Sequence, residues 1–313
     1  DITGSIVSVS AEELKKNTPT NIGDALLGKV AGLSVISSSA PGESAQFKVR
    51  GISTLGDEAG SNPLFIVDGM EVSSIDDINP KDIVSIEVLK DAASASIYGS
   101  RSANGVVIIS TKQGEKGKPS FDLSYSARIS EIAKTMPQMN RLEANNYDAI
   151  RGFLESGSSD TYLEADSLKP IYLQDQFLQD MLFRTAYTHQ VDLSVSGAGD
   201  KVKYYASLGY LNDQGIHINT YNKRLSARFN VDYQINKRLS MGTRISPSVS
   251  NRRDAPWGTR RFVLQNPSYF ALYHPETGDY MPYLGGITNP LGVSMLDKND
   301  YKNYNLNIYQ FLN

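Results

Sequence analysis

The sequence predicts an α+β domain over residues 1–114, followed over residues 119–313 by antiparallel strands of a transmembrane β-barrel. Three observations predict this division. Only Phe47, Phe65 and Tyr98 precede residue 118, in a chain with 18 Tyr, 10 Phe and one Trp. Beyond residue 118, apolar residues recur at every second position. Short turns there alternate with long loops, which is typical of outer-membrane barrels.

Composition and charge exclude several classes of function. The 313 residues include no cysteine, which excludes a disulfide framework, a thiol nucleophile and a zinc–thiolate site. Residues 1–118 hold 11 Lys and Arg against 15 Asp and Glu, and the remainder hold 20 against 19. Neither part has the basic surface of a nucleic-acid-binding protein, so no nucleic-acid partner is expected. No apolar run approaches the roughly 20 residues of a membrane-spanning helix.

Short helices and strands separated by turns are predicted in the first region. Ser10 and Glu13 have the spacing of a capping box. A helix is predicted from about Thr20 to Val30, and Gly32 is expected to end it. Strands are predicted at 33–36, 46–51 and 64–67, each closed by turn residues.

The run that completes this region combines several elements. Asn79 and Pro80 predict one helical turn, and alternation over 84–88 predicts a half-buried strand with Val84 inward. A capped helix of small residues is predicted at 92–96. Asn104 and Gly105 then form a tight-turn signal before a buried strand at 106–110. The result is a compact domain of about 110 residues with few aromatics, suited to fit inside a larger structure.

The second region is predicted to contain about six strands of roughly 10–12 residues, the length of a tilted membrane-spanning strand. Tight turns near 199–200 and 235–237 alternate with long loops near 132–187, 212–221 and 251–301. In outer-membrane barrels the short turns are periplasmic and the long loops extracellular. A secreted β-domain with one buried sheet face is the alternative. The strands are centred on 121–129, 191–195, 202–210, 225–233, 239–245 and 304–308.

Six strands are too few for such a barrel. The free edges of an open sheet would leave backbone groups unpaired in hydrocarbon. A lumen that holds a domain of about 110 residues needs on the order of 22 strands. Most of the barrel is therefore expected beyond Asn313.

The run from Ile83 to Lys112, which contains EVLKDAASASIYGSRSANGVV, closely resembles the plug signature of TonB-dependent outer-membrane receptors. Its form is similar to the SusC/RagA branch typical of Bacteroidetes. The resemblance covers essentially the whole chain. Supporting matches are TGSIVSVSAEEL (3–14), ALLGKVAGLSV (25–35), FKVRGIST (47–54), PLFIVDGMEV (63–72) and FRTAYTHQVDLSVSGAGDKVKYYASLGYLNDQG (183–215).

This resemblance implies a barrel of about 22 strands filled by an N-terminal plug. It implies import of oligosaccharides or peptides across the outer membrane, driven by TonB through a segment upstream of Asp1. The other implied partners are a SusD-like surface lipoprotein, the glycan or peptide ligand and outer-membrane lipid. The alternatives are a barrel-anchored surface adhesin without transport and a secreted glycan-binding β-domain. No catalytic pattern, cofactor motif or spaced metal-ligand set is recognisable, so neither an enzyme nor a cofactor is expected.

Ligand contacts are predicted in two places. The loop 53–62 would lie at the extracellular tip of the plug, where Asp57, Glu58 and Asn62 are candidate ligand residues. A solvated turn is the other interpretation. In the last long loop, Trp257 and Tyr273 are candidates because aromatic faces stack on sugar rings, although aromatics also pack loops together.

A charge network is predicted within the plug. Arg50 and Arg101 belong to a domain expected to be enclosed, where an unpaired charge is costly. The resemblance implies that both arginines pair with acidic groups on the plug or the barrel wall, and Glu87 is a candidate partner. The alternative is that both arginines face a wet plug surface.

Overall fold

The structure is a computed structural model, in which two large β-sheets are present. The first is a five-stranded sheet near the N terminus and the second a six-stranded antiparallel sheet. We call residues 6–115 the N-terminal unit and the six-stranded sheet the wall. The structure describes residues 6–11, 13, 19–38, 40–49, 62–91, 95–115, 117–156, 175, 177–256, 259, 272–274, 276–281, 283–284, 287–296 and 298–312.

The N-terminal unit is built on a mixed sheet with the strand order β1-β6-β7-β4-β5. Strands β4 and β7 run parallel, and the other neighbours are antiparallel. A separate hairpin joins β2 to β3. The strands are β1 (Ile6–Ser10), β2 (Leu33–Ile36), β3 (Gln46–Val49), β4 (Leu64–Val67), β5 (Met70–Val72), β6 (Ile83–Leu89) and β7 (Val106–Thr111).

An apolar core lies between this sheet and a short helix, α1 (Ile22–Leu26). Asn21 caps the helix, since its side chain accepts a hydrogen bond of 2.7 Å from the amide of Asp24. Leu26, Ile86 and Val107 are among the fully buried side chains of the core. Burying such aliphatic side chains is the main favourable contribution to folding.

The structure corrects four local predictions in this unit. The helix predicted over 20–30 is shorter, and β5 was missed. Val84 is 45% exposed because the pairing of β6 with β7 shifts register between Ile83 and Ser85. The residues before Gly105 form a 3₁₀ turn (Ser100–Asn104) instead of a tight hairpin.

The wall is an antiparallel sheet in the order β15-β12-β11-β10-β9-β8. Its strands have 13–16 residues and are longer than predicted. The loop predicted near 212–221 is accordingly shorter, because pairing of β10 with β11 extends to Gln214 and Tyr221. The strands are β8 (Gly117–Ser130), β9 (Ala186–Ala198), β10 (Val202–Gln214), β11 (Tyr221–Asn236), β12 (Leu239–Arg253) and β15 (Asp300–Leu312).

The burial pattern of the wall is the inverse of that in the N-terminal unit. Apolar side chains such as Leu193 (47% exposed) and Phe229 point away from the N-terminal unit. Polar side chains such as Gln190, Arg228 (4% exposed) and Asn230 are buried on the other face. A strand that alternates apolar-outward with polar-inward is what a barrel wall in hydrocarbon requires.

The long loops carry short elements of their own and share a small apolar core. Leu178 and Leu182 from the first loop pack with Leu272 and Leu291 from the last, and Ile218 joins them from the loop between β10 and β11. No helix in the described ranges is long and apolar enough to cross a membrane. The loop elements are α2 (Arg141–Ser156), α3 (Leu178–Leu182), β13 (Tyr283–Leu284), β14 (Ile287–Thr288) and α4 (Pro290–Leu296).

Candidate functional site: the interface between the N-terminal unit and the wall

Buried polar side chains of the wall hold the N-terminal unit at separate points. Three of the stretches they contact are far apart in sequence: the turn after β4, the segment 76–82 and the end of β7. Because each buried polar group must find a hydrogen-bond partner, these contacts fix where the unit sits.

The centre of the interface is a cation between two carboxylates. The guanidinium of Arg228 lies with Nη1 3.5 Å from Asp68 Oδ2 and Nε 3.7 Å from Asp82 Oδ2; the side chains of Arg228 and Asp82 are buried, and that of Asp68 is 9% exposed. The hydroxyl of Tyr205 donates to Asp82 at 2.8 Å. A buried carboxylate is stable only when it is paired. Arg228 of the wall provides the cation for Asp68 and Asp82, and Tyr205 provides a hydrogen-bond donor for Asp82.

Asp68 also organises the N-terminal unit itself. It lies in the turn between β4 and β5 with φ of 49°, a left-handed conformation that Asp tolerates better than most residues. Its carboxylate accepts from the amide of Thr111 at 2.8 Å and from the Thr111 hydroxyl at 2.6 Å. Asn230 of the wall donates to the same hydroxyl at 3.0 Å and to the carbonyl of Lys112 at 2.7 Å. The ends of β4 and β7 are therefore tied to each other and to β11.

A second contact lies at Asn79, which precedes the 3₁₀ turn Pro80–Asp82. Its Oδ1 caps that turn by accepting from the amide of Lys81, and its Nδ2 donates to Asp192 of β9 at 2.6 Å. Gln190 donates to the other oxygen of Asp192 at 3.0 Å. The close approach depends on Gly209, because a Cβ there would lie 2.5 Å from the Asn79 amide nitrogen.

The third group of contacts lies toward the long-loop end of the wall, where arginines bind backbone carbonyls. Arg224 donates to the carbonyls of Asp76 at 2.6 Å and Thr20 at 3.1 Å. Arg252 donates to the carbonyl of Gly42 at 2.7 Å. Gly42 has φ of 70°, and a Cβ there would lie 2.6 Å from the side-chain amide of Asn222, so a larger residue would be strained and would also clash.

The polar contacts of this interface can hold the N-terminal unit on the wall and can also release it. A hydrogen bond exchanged for water changes stability by only about 0.5–1.5 kcal/mol net, whereas separating two apolar faces exposes their full area to water. Where water can enter, a polar interface can therefore open at lower cost than an apolar one. In the described residues no group of three or more His, Cys, Asp or Glu is placed to hold a metal ion.

The predicted charge network is only partly visible. Arg101 pairs with Glu71, Nη1 to Oε1 at 2.6 Å, and the Arg101 side chain is 71% exposed. The carboxylate that Arg101 meets is thus Glu71 on the edge strand β5, whereas the candidate Glu87 lies three strands away on β6; pairing of Glu87 with Arg50 stays a prediction. Arg50 lies outside the described residues.

The predicted ligand residues are not brought together in the described structure. Asn62 is exposed, and Asp57, Glu58 and Trp257 lie outside the described residues. Tyr273 packs on Tyr280 with ring centroids 5.0 Å apart, beside the apolar core of the loops. Burial, and after it the hydrogen bond with Tyr280, raises the pKa of the Tyr273 hydroxyl. The structure thus gives Tyr273 a packing role, and its contact with ligand stays a prediction.

Sequence reasoning missed the residues that form the interface. Arg224, Arg228 and Asn230 recur at even spacing along β11, between the apolar residues that marked the strand. That spacing places the three side chains on one face of the strand, and it is the sequence signal from which this polar face could have been predicted. The partners on the N-terminal unit carry no local pattern, because Asn79 and Asp192 are 113 positions apart.

Comparison with known proteins agrees with this architecture. The family model of the TonB-dependent Receptor Plug Domain matches residues 1–106. TonB-dependent receptor P39 of Formosa agariphila is 34% identical over all of this chain and 30% of its own length. TonB-dependent receptor SusC of Bacteroides thetaiotaomicron is 36% identical over 74% of this chain and 23% of its own length. The chain thus spans less than a third of these relatives.

Solved structures show the same arrangement. The RagAB peptide importer in its open-open state superposes with a TM-score of 0.82 and 31% identity, over 99% of this chain and 38% of that one. The unliganded ferric citrate transporter FecA has a TM-score of 0.52 at 13% identity, over 80% of this chain and 31% of that one, and supports the fold alone. With the plug family model, the relatives and the buried polar face of the wall in agreement, the chain belongs to the TonB-dependent receptor family, in its SusC/RagA branch.

Proposed function

We propose that residues 1–114 are the plug and residues 119–313 the first six strands of an outer-membrane barrel that imports a large nutrient with energy from TonB. The observation that carries this proposal is the buried polar interface around Arg228, Asp68 and Asp82. A plug held in this way is seated firmly at rest and can still be displaced when pulled. The short turns would lie in the periplasm and the long loops outside the cell.

The ligand class rests on the relatives. One solved structure of this architecture is described as a peptide importer, and one curated relative is SusC. We propose an oligosaccharide or a peptide as cargo, with a SusD-like lipoprotein over the long loops. The candidate contacts remain Asp57, Glu58, Asn62, Trp257 and Tyr273. In this function the chain is a carrier, and transport depends on movement of the plug instead of on a reactive side chain.

The test is uptake with and without TonB. The full-length receptor is expressed as the sole importer of its branch in a host strain, and uptake is followed with a panel of labelled oligosaccharides and peptides. We expect uptake of at least one probe that stops when TonB is deleted. Undiminished uptake in the TonB-null strain would refute the proposal, and probe binding at the cell surface with no uptake in either strain would favour an adhesin.

A second experiment asks whether the plug moves against the wall. These 313 residues contain no cysteine. In the full-length receptor, with any cysteine elsewhere replaced by serine, cysteines at Thr111 and Asn230, which are in contact across the interface, can be joined by a short bifunctional thiol reagent. We expect joining to abolish uptake. The control pair is Ser194 and Ser207, which are partners within the wall. Uptake unaffected by the first pair would show that this part of the plug stays in place during import.

A further inference from the structure

Two cavities lie end to end along the seam between the N-terminal unit and the wall. One has a volume of about 420 Å³ and is lined by residues such as Arg228, Arg244 and Tyr309. The other has a volume of about 440 Å³ and is lined by residues such as Arg252 and Lys302. We call them the short-turn cavity and the long-loop cavity, after the end of the wall that each approaches.

Strand β15 shows how the cavities are arranged. Its residues 302–305 line the long-loop cavity and its residues 305–309 line the short-turn cavity. At about 3.3 Å per residue, the lined part of the strand is roughly 23 Å long. Because barrel strands tilt by about 35–45°, this length rises roughly 16–19 Å along the barrel axis, against about 25 Å for the apolar band. The two cavities together therefore extend along much of the wall.

The cavities meet at one side-chain contact. Ser74, Asp77 and Asn305 line both of them, and the amide of Asn305 donates a hydrogen bond to the carboxylate of Asp77. The neighbouring backbone is held separately, because Arg224 binds the carbonyl of Asp76 at 2.6 Å. The Asp77 side chain can therefore leave Asn305 while segment 74–77 stays on the wall.

The lining of the short-turn cavity is that of a wet space. Arg228 and Arg244 are buried; the Nε atom of Arg244 has no hydrogen-bond partner among the described residues, and that of Arg228 has only the ion-pair contact with Asp82 at 3.7 Å. Buried N–H groups of this kind are normally satisfied by water when no protein atom is present. At about 30 Å³ per water, the cavity has room for roughly a dozen.

We propose that the two cavities are halves of one water-filled path, closed at the Asp77–Asn305 contact, which passes small uncharged hydrophilic solutes while the plug remains seated. Both linings are charged, with four acidic side chains against two basic ones in the short-turn cavity and four against three in the long-loop cavity, so a neutral solute is the one that neither sign of lining charge repels. The path requires neither TonB nor a large nutrient and so goes beyond the proposed import. Further barrel strands, which the proposed function supplies, would close the side beyond β15.

The experiment measures leakage through the purified full-length receptor in liposomes, without TonB, using the rate of vesicle swelling in arabinose. Asn305→Asp places a second carboxylate against Asp77 and removes the donor. We expect swelling to become roughly three- to tenfold faster, the change in open population that follows from losing one hydrogen bond. The double variant Asp77→Asn with Asn305→Asp exchanges donor and acceptor, and we expect it to return swelling to the wild-type rate.

Matched controls are present on the same strand. Asn303→Asp and Asn307→Asp make the same change on the same face of β15, one in each cavity and away from the shared contact. We expect both to stay near the wild-type rate. The proposal is overturned if Asn305→Asp swells no faster than these controls, or if the double variant fails to restore closure. Should Asn305→Asp not insert into liposomes, Asn305→Ala removes the same hydrogen bond and is judged by the same comparison.

Failure of this path and failure of the proposed import give different results. A receptor whose Asn305→Asp variant does not leak, but whose nutrient uptake stops without TonB, would refute only the path. Leakage in Asn305→Asp that the double variant reverses, with uptake independent of TonB, would refute only the proposed import.

Discussion

In the N-terminal unit the buried side chains are aliphatic ones such as Ile86 and Val107, whereas in the wall they are polar ones such as Gln190 and Asn230. The two regions of the chain therefore meet opposite requirements. The unit must hold itself together as a folded body in water, and its aliphatic core does so. In the proposed barrel, the wall would present apolar side chains to hydrocarbon and polar ones to the unit. The difference shows that a buried residue need not be apolar. Whether apolar or polar side chains are buried on a face depends on what that face contacts.

The contact that joins the two regions gives the largest expected effect. Arg228→Met leaves Asp68 and Asp82 buried without their cation. Removing one partner of a buried ion pair typically costs about 3–5 kcal/mol, and we expect the N-terminal unit to be held less tightly by about this amount. The measurement is the urea concentration at which a protease begins to cleave the unit, in the full-length receptor in detergent.

Its control is Arg253→Met, which removes an arginine whose contacts, with Asp300 and the Tyr221 ring, lie within the wall. Because this arginine does not contact the unit in the described structure, protection of the unit should hardly change. Equal losses in the two variants would show that the central contact does not hold the unit on the wall.

The outward face of the wall gives the next largest effect. Leu193→Arg places a charge on the face assigned to hydrocarbon, which costs about 2–4 kcal/mol near the middle of a bilayer. We expect the free energy of unfolding, measured for the receptor in lipid vesicles, to decrease by this amount. Asp200→Arg, in the short turn after β9, should change it little. If Leu193→Arg were tolerated as well as Asp200→Arg, the wall would not face lipid and the secreted β-domain would be favoured.

The close approach of wall and unit gives a smaller effect. In Gly209→Ala the new methyl would meet the Asn79 amide at 2.5 Å and the Asp192 carboxylate at 2.8 Å. Overpacking of this kind costs about 1–3 kcal/mol. We expect the protease assay to show a loss of that size for Gly209→Ala and none for Gly199→Ala, where nothing lies within 4 Å. Unchanged protection in Gly209→Ala would mean that the unit shifts on the wall without loss.

The smallest effect is expected at Arg101. Its pair with Glu71 is largely exposed in this chain, so Arg101→Ala should cost less than about 1 kcal/mol in the same assay. A loss of several kcal/mol would indicate that later barrel strands enclose this pair. In that case the polar interface would extend to the far side of the plug.

Sequence reasoning predicted the fold better than the site. Alternation identified the outward residues of the wall, such as Leu193 and Phe229, because a period of two depends only on neighbouring positions. It could not pair Asp82 with Tyr205, since that contact depends on how two separate sheets are placed against each other. Arg101 shows the same limit: its charge predicted a carboxylate partner, but several carboxylates were available and the sequence did not distinguish Glu71 from Glu87.

The order of strands in the wall has a consequence for assembly. From β8 to β12 each strand pairs with the next one along the chain, and β15 adds to the last of them. Pairing from β9 to β12 is local and can proceed hairpin by hairpin because short turns join these strands, whereas β8 and β15 pair across the two long loops. The contacts between the unit and the wall, such as that between Asn230 and Thr111 across 119 positions, can form only after those hairpins exist. We therefore expect the wall to take shape first and the plug to settle against it as a late step, so a fault in seating would yield a folded barrel that leaks.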